Sequence, residues 1–435
     1  MSKIRLHGSS SGYTEIAPVA ASGNNTITLP NDGTIISKDS AGAVGVTSIK
    51  SSNVNVGAAV TITESGIEAS GIGITCANLN GGQIGGRRNI VINGAMEVAQ
   101  RGTSSTADSY QTVDRFKIFR DGVDENPTQT QHTLSSSDSP YAEGLRYSYH
   151  FTNGNQTSVG ADDTIVMQTR VEAQDMATCG WNYTDPNSFI TLSYWVKSSV
   201  SQTFYNLIRT SDGTGQMYDF PFALTANTWK KVTHLIPGNS NLAFNNDTGL
   251  GLIIEWTIFR GTNDTTSSHT SNVWATYSGT DRVPDMTNTW YDTDDSTFEI
   301  TGVQLEVGSQ ATAFEHRSFG EELSLCQRYF YRVADGASKT LGLGVAYSSS
   351  QMFGAITFPV TMRTEPTLSA ASGTNYYEFI RNNGADYFNS LDLGNRTTNK
   401  IGEIFNSTEI SGTSGHAGYI RTDNSAVYVD FGAEI

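Results

Sequence analysis

The chain has 435 residues and a formal net charge of −16, a length that exceeds one compact core and predicts two to four domains. The acidity excludes a surface that tracks nucleic-acid phosphates, which needs clustered Lys and Arg; the adjacent basic pair Arg87–Arg88 makes no patch. A hydrophobic content of 37% with 10% aromatics belongs to a folded β-rich chain, not a disordered one.

Cys76, Cys179 and Cys326 are far apart and odd in number, so no disulfide framework or zinc knuckle follows from them. They predict reduced thiols in a chain that folds in a reducing cytoplasm. The opening "MSKIRLHGSSSGYTEIAP" lacks the apolar centre of a secretory signal, and no run of about 20 apolar residues predicts a membrane-spanning helix.

Residues 1–86 contain one aromatic, Tyr13, and no Phe or Trp. So few large side chains cannot bury the apolar area that an independent globular fold needs. Yet Val54, Val56, Val60 and Ile62 alternate with polar or small residues, the period of a strand. We expect an intertwined β stem in which identical chains supply one another's missing apolar surface; the alternative is a flexible Gly/Ser linker, which has no reason to keep the alternation.

From residue 87 to 317 the pattern changes. Short aromatic strands recur, including "VDRFKIFR", "GLRYSYHF", "DTIVMQTRVEA", "FITLSYWVKSS", "LGLIIEWTIFR" and "TFEITGVQLEV", separated by Gly, Asn, Asp, Ser or Pro loops. This spacing predicts a two-sheet sandwich. The alternation puts Tyr194 and Val196 on one face of their strand and Trp195 and Lys197 on the other.

A helix is expected over 318–332. Ser318 and Glu321 have the spacing of a capping box, and Leu323, Cys326 and Phe330 follow at i, i+3 and i+7. Residues 333–435 return to β patterning, with Pro359 and Pro366 bracketing a non-helical crossing.

Few residues point to chemistry. The seven histidines are scattered singly and predict ordinary surface or core roles. No nucleophile elbow or phosphate-cradling loop is present, and no carboxylate pair stands out, so the expectation is a protein that is not an enzyme. Asp292, Asp294 and Asp295 offer oxygen ligands but lack the Gly and distal Glu of an EF-hand, and read as a solvated acidic loop. Trp181, Tyr183, Trp274, Tyr277, Trp290 and Tyr291 lie in polar loops. Flat rings flanked by Asn, Asp and Thr suit the C–H faces of pyranose rings, which makes these six the candidate glycan ligands. The alternative is that they fold back and plug an open end of the sandwich.

The blocks "NIVINGAMEVAQRGTS", "YQTVDRFKI", "ITGVQLEVGSQATAFEHRSFGEELSLCQRYFYR" and "FPVTMRTEPTL" resemble recurring segments of phage tail-fibre and related virion appendage proteins, especially of marine and cyanobacterial phages. "SSGYTEIAPVAASGNNTITLPNDG" is similar to the openings of such fibres, where they join the particle. The middle region is also similar to jelly-roll carbohydrate-binding modules, with "NGAME" (93–97) as the opening strand and "GVQLEV" as the closing one. In those modules the first and last strands share a structural calcium, and Glu97 and Glu306 hold the matching positions, although the usual Asp-rich closing strand is missing here.

The resemblance implies an elongated homotrimer located in the virion. It would consist of an attachment region and stem (1–86), a carbohydrate-binding-module-like jelly-roll sandwich (87–317), a linking helix (318–332) and a β tip (333–435). Leu323, Cys326 and Phe330 would face the trimer axis. The implied partners are a tail, baseplate or adaptor protein and a host-surface glycan, with no membrane insertion. The implied function is host attachment; a structural fibre or adaptor and a polysaccharide-degrading tailspike are the alternatives.

Overall fold

The computed structural model describes residues 87–382 and 384–435, together with the backbone of residues 4–7, 13–16, 60–63 and 66–69. The chain divides into two compact units, Met1–Cys76 and Ala77–Ile435. In the first, β1 (Ile4–His7) pairs antiparallel with β2 (Tyr13–Ile16), and β3 (Val60–Thr63) with β4 (Gly66–Ala69). Beyond these two hairpins, the expected stem lies outside the described residues.

The second unit begins with a sandwich of two six-stranded antiparallel sheets. One runs, edge to edge, β13 (Lys230–Pro237), β10 (Phe189–Ser198), β16 (Thr297–Val307), β8 (Tyr147–Thr152), β7 (Thr128–Thr133) and β5 (Ser104–Ser105). The other runs β15 (Ala275–Thr276), β12 (Gln216–Leu224), β11 (Gln202–Thr210), β14 (Leu250–Arg260), β9 (Thr164–Glu172) and β6 (Phe116–Asp121). Most successive strands cross from one sheet to the other, the connectivity of a jelly roll. The short helix α1 (Ala173–Thr178) follows β9.

Strand alternation sends one side of each long strand into a shared aromatic interior. Tyr194 meets Trp256 edge-on at 5.5 Å and Phe222 at 5.9 Å, and Phe204 meets Phe298 at 5.1 Å. Such pairs add about 0.5–1.5 kcal/mol each beyond their buried area. β7 escapes the sequence reading because "TQTQHT" has no apolar residue; backbone pairing with β8 on one side and β5 on the other places it in the sheet.

Ser318 caps helix α2 (Phe319–Gln327), its hydroxyl accepting from the Glu321 amide at 3.3 Å, as the capping pattern predicts. The helix ends five residues sooner than expected. Phe330 is therefore not on it but opens a strand, and Cys326 is wholly buried by its own chain. This corrects the axial role given to Cys326 and Phe330: periodicity shows that a stripe will be covered, not by what. Only Leu323 of the three stays half-exposed.

The C-terminal domain contains two more antiparallel sheets. One orders β17 (Phe330–Asp335), β26 (Tyr428–Gly432) and β20 (Thr367–Ala370). The other orders β22 (Gly384–Phe388), β21 (Tyr377–Arg381), β25 (Ala417–Thr422), β18 (Thr340–Ala346), β19 (Met352–Thr357), β24 (Ile401–Asn406) and β23 (Asp392–Leu393). Their interior is a separate cluster that includes Met352, Phe358, Tyr377, Phe379, Ile420 and Phe431.

Arginines weld this domain to the sandwich. Arg328 grips the buried Glu172 carboxylate through Nε at 2.7 Å and Nη2 at 2.8 Å, and the Tyr329 hydroxyl donates to the same group at 2.5 Å. The Arg115 guanidinium lies 3.4 Å over the Tyr329 ring and pairs with Glu434, while Arg101 lies 3.5 Å over Phe330. Burial pushes the Glu172 carboxyl up, but these donors outweigh it and hold it below its usual range. A depressed carboxyl contributes stability above its unfolded pKa, lost as pH falls through the folded one. Glu172→Gln should therefore cost about 3 kcal/mol in denaturant unfolding at neutral pH, and the gap between variant and parent should close under acid.

A candidate carbohydrate-binding face

The sheet containing β10 presents its outer side to solvent, and two indoles dominate that side. Trp195 projects from β10 opposite Lys231 of β13, and Trp229 lies just before β13. A bulge places them. Between Ser193 and Trp195 the register against β16 shifts, and Gly302 takes up the slack at φ 62°. A Cβ there would come within 2.8 Å of Leu145, so a side chain would displace the floor under Trp195. Leu134, Leu145, Tyr141 and Phe314 form that floor as a small cluster outside the main core.

Carboxylates and ammonium groups frame the rings. Trp195 Nε1 donates to Glu143 at 3.1 Å and Trp229 Nε1 to Asp138 at 2.7 Å. Lys231 Nζ reaches Glu143 at 2.9 Å and lies 5.7 Å over the Trp195 ring. Lys197 Nζ lies 4.7 Å over Trp229 and pairs with Glu299 at 2.6 Å. Asp138 precedes the 3₁₀ turn Ser139–Glu143 and Glu143 is its last residue, with Gly144 closing it at φ 90°. A Cβ at Gly144 would press on His316 at 3.0 Å, so glycine serves both the turn and the contact. At one end the face deepens into a groove of about 490 Å³ lined by Glu143, Lys231, Thr312, Phe314 and His316.

The three carboxyls that frame the rings are all held in their ionised form. Burial raises the Asp138 carboxyl, but the Trp229 and Ser135 donors pull it down to about 2. Glu299 is likewise held at about 2, burial being outweighed by His150 and Lys197, and Glu143 is lowered by Lys231 and Trp195. All three are anions near neutral pH. A glycosidase needs one carboxyl kept protonated as general acid, and none of these three is. What the face offers is flat apolar surface ringed by acceptors and donors, which suits a sugar's C–H face and its hydroxyls.

The residues chosen from the sequence lie elsewhere. Trp290 and Tyr291 are wholly buried: Trp290 Nε1 donates to the Thr297 carbonyl at 3.0 Å, and Tyr291 stacks on Phe259 at 4.2 Å with its hydroxyl on Asp163. Trp181 is buried too, with Nε1 on the Ser188 carbonyl, and packs with Tyr183 and Phe244. These four plug the sandwich, a correction to the glycan assignment; polar neighbours in sequence do not report on burial. Trp274, half-buried, donates to the Pro237 carbonyl at 2.7 Å and leans on Tyr218. Tyr277 lies under the Arg209 guanidinium at 3.9 Å. They flank β15, an edge strand of the other sheet, apart from the Trp195 face. The missed residues had one available signal, the pairing of Trp195 with Lys197 on a single strand face.

The two calcium candidates stand in different settings. Glu306 is buried and its oxygens accept from the Thr312 amide at 2.8 Å, Thr312 Oγ1 at 2.7 Å and Gln304 Nε2 at 2.9 Å. Glu97, half-buried, is pushed up by burial and by the neighbouring Glu322.

No protein-family model and no curated protein matches this sequence. Among solved structures, the enzymatically active domain of tailspike protein 4 of bacteriophage CBA120 is similar at 10% identity and a TM-score of 0.27. The similarity covers 50% of this chain but 21% of that one. The N-terminal cellulose-binding domain of Cellulomonas fimi β-1,4-glucanase C is similar over 49% of this chain and 99% of that one, at 10% identity and a TM-score of 0.23. The family 11 carbohydrate-binding module of Clostridium thermocellum Lic26A-Cel5E gives 49%, 98%, 10% and 0.23 in the same order. Scores this low carry no functional weight. The strand order itself defines the class: a mainly β protein whose central domain is a jelly-roll sandwich.

Two measurements follow. Trp195→Ala and Trp229→Ala should each weaken retention by an immobilised bacterial polysaccharide about 30-fold, the loss of roughly 2 kcal/mol for an aromatic hot spot, while leaving the melting curve nearly unchanged. Trp290→Ala should do the reverse, lowering stability by about 3–5 kcal/mol. Separately, His269 holds the loop that bears Trp274. Burial pushes its imidazole down, but Asp219 at 2.7 Å and Asp281 at 2.6 Å outweigh that and raise it. A raised histidine stabilises fully below its unfolded pKa and loses this as pH rises through the folded one. Hydrogen exchange in residues 265–283 should thus accelerate as the solution turns alkaline, beyond the intrinsic base catalysis seen in His269→Gln.

Proposed function

We propose that this chain is a phage tail fibre, a receptor-binding appendage that attaches the virion to a bacterial surface through glycan. The observation that carries the reading is the outer face with Trp195 and Trp229, each held by its N–H to an ionised carboxylate and each flanked by a lysine. Held this way, the rings are preorganised, so a sugar stacking on them loses little further side-chain freedom. Binding at each site would be weak, and several copies on one fibre would raise avidity by the effective concentration of a tethered array.

Self-association into a homotrimer belongs to the same proposal. The seven-stranded sheet of the C-terminal domain turns its glycines inward and its bulk outward. Gly354 and Gly344 make room for Ile420, and Gly402 for Phe431 and Phe358. Leu343, Val345, Tyr347, Ile401, Tyr387 and Tyr419 are exposed on the other side. An apolar surface of that extent on a soluble acidic chain supports burial against identical copies. The N-terminal region would contact the tail, baseplate or an adaptor.

The polysaccharide-degrading reading is the less favoured one, because the three face carboxylates are all ionised. Excess soluble protein should block adsorption of the parent phage, and light scattering should give a mass near three chains. Undiminished adsorption would leave the structural fibre or adaptor as the reading. A shortened polysaccharide after incubation would turn it to the tailspike, and a monomeric mass would remove the trimer.

A further inference from the structure

Next to the tryptophans, on the same side of the sheet, three metal-ligating side chains converge from three adjacent strands. His150 of β8 is the direct cross-strand neighbour of Glu299 of β16. His132 of β7 is the neighbour of Ser148, two residues before His150. All of these face outward, and the two imidazoles lie 5.1 Å apart, centroid to centroid. Glu299 Oε2 is 3.4 Å from His150 Nδ1 and 3.5 Å from His132 Nδ1, and one donor atom from each residue falls within 4.8 Å of the other two.

Those separations match a shared ion. Two donors each about 2.1 Å from a tetrahedral centre stand about 3.4 Å apart. His150 Nδ1 is also buried and makes no well-aligned hydrogen bond, facing the Glu299 carboxylate within the cluster at 3.4 Å. The carboxylate is already oriented: Lys197 Nζ holds Oε1 at 2.6 Å, and Ser148 Oγ donates to Oε2 at 2.8 Å. Supporting contacts of that kind fix the ligands of metal sites. Glu299 is buried and His132 half-exposed, so the cluster opens to solvent on one side.

We propose that His132, His150 and Glu299 bind one divalent first-row transition ion of the zinc class. Two imidazoles and a carboxylate exclude calcium, which takes oxygen ligands, and leave a coordination position open toward solvent. An ion there would sit on the face that carries Trp195 and Trp229 and could accept a ligand oxygen, but the site stands on its own residues, independently of the glycan reading.

The test uses the full chain after chelation and dialysis. Titration with Co²⁺ should give one saturable site per chain with visible absorption that Zn²⁺ abolishes. His132→Gln and His150→Gln should each weaken binding at least tenfold, with circular dichroism unchanged because both rings are on the solvent side. His316→Gln, outside the cluster, should bind as the parent does. Absence of saturable Co²⁺ and Zn²⁺ binding would overturn the proposal. So would an unchanged affinity in the His132→Gln, His150→Gln double variant, which would place the ion elsewhere.

Discussion

Every long strand of the sandwich has to commit one side to an interior built of aromatic rings, and that constraint governs the rest. Once Tyr194 and Val196 are buried against Trp256 and its neighbours, Trp195 and Lys197 must face out. Once Tyr149 and Phe151 are buried, Ser148 and His150 must face out beside them. The outer face is the complement of the core. Its chemistry was not placed independently; it fills the positions that packing left free, and the bulge at Gly302 adjusts one of them.

The C-terminal domain applies the same alternation with the sizes exchanged. Glycines line the inside of its larger sheet so that Ile420, Phe358 and Phe431 can approach the backbone, and large apolar groups stand outside. The seam to the sandwich follows a third rule. Charges are taken out of water only in well-bonded sets, as at Glu172 with Arg328 and Tyr329, where removal of one member leaves the others stranded. Two bodies joined by such sets hold a fixed relation, which a chain joined by a free linker would not.

Much of the fold was legible. The aromatic strands from "VDRFKIFR" to "TFEITGVQLEV" all form, because period-two alternation is imposed by the strand itself. The Ser318 cap was legible for a similar reason, its geometry being set by three residues. β7 was not, since a strand of Thr, Gln and His has no apolar side to announce it. The six loop aromatics misled because hydrophilic neighbours along the chain say nothing about what a loop folds over: Trp290 and Tyr291 end fully buried. His132 and His150 were invisible as a pair, for their separation in sequence becomes proximity only through β7–β8 pairing.

By itself the sequence determined the class of structure, the two-faced character of each patterned strand and the starting point of the helix. These are local properties, carried by side chains within a few residues of one another. Tertiary structure alone decided which aromatics are floor and which are surface. It also decided that Cys326 and Phe330 turn toward their own sandwich, and that two tryptophans, three carboxylates and two histidines share one face. The reason is that sheet order and register are settled by cooperative packing of distant strands, and a one-residue change of register would send each of those side chains to the opposite side.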